Sequence, residues 1–105
     1  SMKIVNFESV SPLYEMERDG EKPFTTRKID AKDKRFRSLA QWKPSCNWAI
    51  RITNPDTGEG FIRAIRVVDC LLYVDPRQKE GRLHFTRLLG WLIIILGDRV
   101  VGGWD

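Results

Sequence analysis

What this chain lacks narrows its chemistry first. It has one histidine, His84, and two cysteines, Cys46 and Cys70, set 24 positions apart without a CxxC pair. So thin a supply of ligands argues against a structural zinc site. A histidine-dependent triad would rest wholly on His84, which stands in "RLHFTRLLGW" between Leu83 and Phe85, the setting of an ordinary, partly buried histidine. A nucleophile elbow, a Walker loop, a dinucleotide-binding glycine pattern and a zinc-binding helix are all missing, so neither cofactor nor metal is expected. No segment approaches the ~20 apolar residues that a membrane-spanning helix needs. The longest, "LLGWLIIILG" at 88–97, reaches about half that length. Residues 2–10 lack the apolar stretch of a signal peptide, and Ser1 ahead of Met2 reads as an expression scar. A soluble cytoplasmic protein is expected, with both thiols reduced and buried, a single disulfide being the alternative.

What is present is an ordinary globular composition, 42% apolar and 30% charged over 105 residues, enough for one domain with its own core. The charge is unevenly spread. Between positions 22 and 43 stand eight basic residues against two acids, a net +6 in a chain whose total is +4, so the remainder sums to −2. A local excess of this kind usually has an anionic partner.

The pattern of apolar residues predicts an α+β domain. "KIVNF" (3–7) alternates as a strand. In "SPLYEMERDG" (11–20), Ser11 suits a helix cap, Pro12 the first helical position and Gly20 the stop, with Leu13 and Met16 on the face expected to be buried. Residues 22–29 alternate loosely as a second strand, and 30–47, charged and without a period, read as a long basic loop. "NWAIRIT" (47–53) is a strand with Trp48, Ile50 and Ile52 on one face. "NPDTGEG" (54–60) turns it into a long, bent or bulged strand at 61–74. Asp75 and Pro76 offer a helix start, with a helical segment to about Leu89. "WLIIIL" is either a buried strand or the end of a buried helix, because periodicity does not separate the two over so short a run. The expected architecture is two or three short helices against one mixed or antiparallel sheet, either strongly curled or closed into a small barrel.

The chemistry available in the basic window is Lys22 beside Thr25, Thr26 and Arg27. A lysine next to a hydroxyl serves as base and nucleophile only where burial lowers its pKa. These residues also carry a family resemblance. The helix followed by "GEKPFTTR" (20–27) resembles the G-x-K-x-x-(E/T)-x-R signature of ASCH domains, in the PUA-like superfamily, and "KIDAKDKRF" is similar to the charged continuation in phage and bacterial members. The likeness covers residues 11–37. Where members carry "G-D-x-L" to open the next strand, this chain has "RSLAQWKPSCNWAI".

The resemblance implies a PUA-like small β-barrel and binding of RNA or a nucleotide in the cleft between helix and barrel. Lys22, Arg27, Lys28 and Lys34 suit phosphate contacts, Arg35 and Arg37 extend the track, and Phe24, Phe36 or Trp42 suit base stacking. The plain alternative is a solvated basic loop with its phenylalanines in the core. Small bacterial ASCH proteins that deacetylate acetylated cytidine imply a second role. Their motif has threonine where Thr25 stands, with Lys22 as base, Thr25 as nucleophile and a glutamate, here Glu80, assisting the leaving group. A third reading is a small phage-type interaction module, with a homodimer face on the 88–97 run, which something must cover.

Overall fold

The computed structural model describes residues 2–74 and 88–101, with the backbone alone at 71–74 and 88–89. In chain order these form β1 (Lys3–Glu8), α1 (Leu13–Asp19), β2 (Phe24–Lys28), α2 (Lys34–Leu39), β3 (Trp48–Thr53), β4 (Gly60–Val74) and β5 (Leu88–Arg99). The strands make one mixed sheet in the order β1-β3-β4-β5-β2, with β1 parallel to β3 and the other pairs antiparallel. Its strong curl gives an α+β half-barrel with two helices. The β3–β4 hairpin follows from Asn54, fully buried, whose side-chain oxygen accepts from the Asp56 amide while its backbone N–H donates to Glu59. The expected bulge in β4 is present as register shifts on either side of Ile65 against β5.

The inner face of the sheet is built from alternate residues: Val5 and Phe7 of β1, Ile50 and Ile52 of β3, and Leu92, Ile94 and Leu96 of β5. The ambiguous apolar run is therefore a strand. It is held between β4 and β2 rather than presented whole to solvent, with Trp91 as its exposed member. The helix expected from about Pro76 to Leu89 lies mostly outside the described residues, but its last two positions, Leu88 and Leu89, belong to β5.

Four local expectations are corrected. The basic loop contains α2, because Asp33 caps it by accepting from the Arg35 amide at 2.9 Å, and Phe36 and Leu39, three apart, insert into the core. Helix α1 buries Tyr14 and Glu17 rather than Leu13, which is exposed, or Met16, which is half-buried. Tyr14 packs its ring on Phe61, a larger apolar contact than Leu13 offers. Ser11 does not cap the helix backbone; its hydroxyl donates to the Glu15 carboxylate instead. Both cysteines are free as expected, yet Cys70 is exposed and Cys46 half-buried.

The sheet ends in two edge strands, β1 and β2, that share no backbone pairing. Arginine side chains cover the β1 side of this seam, and Arg27 bridges it. Arg27 of β2 donates from Nη1 to the Glu8 carbonyl at 2.6 Å, and Arg35 of α2 donates from Nη1 to the Asn6 carbonyl at 2.8 Å. Residues two apart on a strand point their carbonyls the same way, so the two guanidiniums cover successive acceptors on one open edge. Both also stack over the Phe7 ring, at 5.0 and 4.3 Å.

Candidate ligand cleft

The end of α1 sets the geometry of the cleft. Gly20 takes a left-handed backbone, φ 87°, that other residues adopt only with strain, and the chain folds back so that the Lys22 amide donates to the Met16 carbonyl at 3.0 Å. Arg63 fixes the same turn from the sheet, donating to the carbonyls of Gly97 and Arg18. This reversal lays Lys22 beside Glu17, five residues upstream in the last turn of α1, and their side chains pair at 2.8 Å. Glu17 is 1% exposed, and its other oxygen accepts from the Ser9 hydroxyl at 2.7 Å.

Thr25 follows on β2. Its pairing with Ile94 of β5 turns both side chains to the inner face, and it too is 1% exposed. Arg27 joins the groups by donating to Thr25 Oγ1 at 3.3 Å and to Ser9 Oγ at 2.7 Å. Burial lowers the Arg27 pKa, Glu17 partly offsets this, and Arg35 adds to it. The result is a continuous polar chain, Lys22–Glu17–Ser9–Arg27–Thr25, across the mouth of the half-barrel.

This chain forms the floor of a cleft of about 350 Å³, edged by Val10, Leu13 and Pro55. Val10 and Leu13 are exposed apolar side chains, 49% and 46%, on its lip. An apolar rim over a few convergent polar groups is the usual character of a small-molecule site.

Of the residues expected to act, the structure brings Lys22, Thr25 and Arg27 into this one cleft. Lys28 lies outside it, in a second hollow on the other side of Arg27 that Asp30, Asp33 and Arg35 also line. Arg35 is engaged there by Asp33 at 2.6 Å. Lys34 and Arg37 stand exposed on α2. Trp42 is half-buried against the core and Phe36 lies within it, packed edge-on to Phe7; Phe24 is open to solvent with the Lys22 ammonium 5.0 Å above its ring. Glu80 lies outside the described residues.

The residue missed from the sequence is Glu17. An acid in the string "YEMERD" looks like solvated helix surface. The signal was its place three residues after Tyr14, on the same face, and five before a lysine beyond a glycine stop. Among the described residues no group of metal-ligating side chains is present, and no helix is long and apolar enough to cross a membrane. No protein-family model matches the chain, and neither the curated proteins nor the solved structures give a match.

Proposed function

We propose that this chain is a PUA-like domain that binds RNA or a nucleotide, seating one nucleoside unit in the cleft between α1 and β2. One observation carries the reading: the apolar lip of Val10 and Leu13 stands over a floor where Lys22, Thr25 and buried Glu17 meet. A nucleobase and its ribose need that combination, apolar area for the ring and donors and acceptors for the edges and hydroxyls. Lys22, engaged by a carboxylate, is a donor for a ligand oxygen, and Thr25 both donates and accepts. The exposed Lys28, Lys34 and Arg37 serve the flanking phosphates of a longer strand. Calorimetric titration with single-stranded RNA and with free nucleosides tests the reading. Binding weakened by Lys22→Ala supports it, and no binding to either at low salt refutes it.

A second reading has its own observation, since Lys22 and Thr25 share the cleft with a buried carboxylate. In an amidohydrolase acting on acetylated cytidine, neutral Lys22 takes the proton of the Thr25 hydroxyl as its oxygen attacks the acetyl carbonyl, and that proton goes to the amino nitrogen of cytidine as the C–N bond breaks. Water then releases acetate from Thr25. In this reading Glu17, the buried carboxylate of the cleft lining, assists the leaving group in the part that the resemblance gives to Glu80. Incubation with acetylated cytidine separates the two readings: free cytidine formed by the parent chain, and lost in both Lys22→Ala and Thr25→Ala, establishes the enzyme.

A further inference from the structure

Two cations line the cleft, Lys22 and Arg27, and only Lys22 has a counter-ion among the described residues. Lys22 is held by Glu17, whose other oxygen is taken by the Ser9 hydroxyl. Arg27 has neutral acceptors: the Thr25 hydroxyl, the Glu8 carbonyl and the Ser9 hydroxyl. Glu17 lies near enough to favour its charge but is already neutralised by Lys22. The Glu8 carboxylate is exposed, and the guanidinium that it supports is Arg35. The seam therefore employs N–H groups of Arg27 and leaves its charge unanswered. The side chain is half-buried, and a charge withdrawn from water without a partner is costly.

Beside it stands a hydroxyl proton that is also without an acceptor. Thr25 Oγ1, in a residue 1% exposed, accepts from Arg27, and among the described residues no oxygen receives its own proton. A guanidinium likewise has more N–H groups than the three acceptors of Arg27 occupy. Both side chains line the cleft. Spare donors on a cation and on a hydroxyl 3.3 Å away suit an anionic oxygen set against both.

We infer that Arg27 and Thr25 form an anion subsite that holds the phosphate of the seated unit, so that the cleft takes a nucleotide in preference to a free nucleoside. This rests on the nucleoside-binding reading of the same cleft. Phosphate is the anion such a unit carries, and the planar guanidinium is the side chain best matched to it. Lys22, neutralised by Glu17, is left to the uncharged part of the ligand.

The test is a low-salt titration of the intact chain with each of the four ribonucleosides, with its 5′- and 3′-monophosphates, and with inorganic phosphate. One of the monophosphates should bind about tenfold or more tightly than its nucleoside, a gain that fades as salt is added. In the parent chain labelled with nitrogen-15 at arginine, the Arg27 Nε–H signal should shift more with that monophosphate than with the nucleoside. Arg27→Gln should bring the monophosphate down to the level of the nucleoside. Arg27→Lys should keep part of the gain, because it retains the charge without the fork. Lys43→Met removes an equal charge outside the cleft lining and should leave the gain unchanged. Monophosphates bound no more tightly than their nucleosides overturn the inference while nucleoside binding stands. A gain that survives Arg27→Gln in a folded variant overturns the assignment to Arg27. If neither Arg27 variant folds, an Arg27 signal unmoved by the monophosphate overturns it instead. Inorganic phosphate that shifts Arg27, with no nucleoside or nucleotide bound, keeps the anion subsite and refutes the nucleoside reading. No binding of any of these ligands overturns both.

Discussion

The Arg27 guanidinium donates to the Glu8 carbonyl at 2.6 Å and so links β2 to β1, the two strands that end the sheet. Part of the basic window is thereby explained without any external partner. Arg27 and Arg35 occupy backbone acceptors that would otherwise lie open along the seam. Arg27→Ala should lower stability by about 1.5–3 kcal/mol, the range for a hydrogen bond made by a charged group, measured by denaturant unfolding. Arg27→Lys should recover little, because a single ammonium does not reach Glu8, Ser9 and Thr25 together. A fully stable Arg27→Ala protein would contradict the seam.

The pairing of Lys22 with Glu17 makes a second, opposite prediction for single and double variants. Lys22→Met leaves a buried carboxylate without its partner and should cost about 3 kcal/mol. Adding Glu17→Gln to it should restore much of that stability, since the uncompensated charge goes with it. Purely additive effects in the cycle would mean the two side chains are not coupled.

Asp33 gives a pH dependence. Its hydrogen bonds from the Arg35 side chain and amide hold its carboxyl below the ordinary aspartate range. A depressed folded value stabilises the fold above the unfolded pKa, and this contribution disappears as the pH falls through the folded one. Unfolding followed by circular dichroism should therefore show an acid-side loss at α2 that is absent in Asp33→Asn, which keeps a capping oxygen but has no carboxyl to titrate.

Nucleic-acid binding that follows the exposed bases leaves a salt signature. Replacing Lys28, Lys34 and Arg37 with alanine should lower the salt slope for single-stranded RNA by ~0.7 for every phosphate that is no longer neutralised. The same experiment on Arg35→Glu should show reduced stability as well, because Arg35 is tied to Asp33 and Asn6. Equal slopes in the parent and the triple variant would remove those three residues from the interface.

Much of the scaffold was legible in the residues. Alternation marked β1 and β3, the turn residues at 54–60 marked the hairpin, and Gly20 marked the end of α1, since glycine takes without strain the left-handed backbone found there. The set Lys22, Thr25 and Arg27 was legible as well, because all three fall on or just before one short strand. What escaped was set by tertiary contact. Six residues of α2 hold too few apolar positions to show a period, and only Phe36 and Leu39 docking on the sheet fix it. Glu17 was hidden because its burial depends on Ser9 and Lys22 arriving from other elements. The parallel pairing of β1 with β3 has no local signature at all.

The central claim, a nucleoside-sized ligand seated over Lys22, Glu17 and Thr25, is tested most directly by amide chemical shifts of the labelled protein. The measurement is a titration with the four ribonucleosides and with single-stranded RNA. The account predicts saturable shifts concentrated at Ser9, Val10, Lys22, Thr25 and Thr26, the residues lining the cleft, and their disappearance in Lys22→Ala. Shifts confined to other surfaces, or none with any of these ligands, would contradict it.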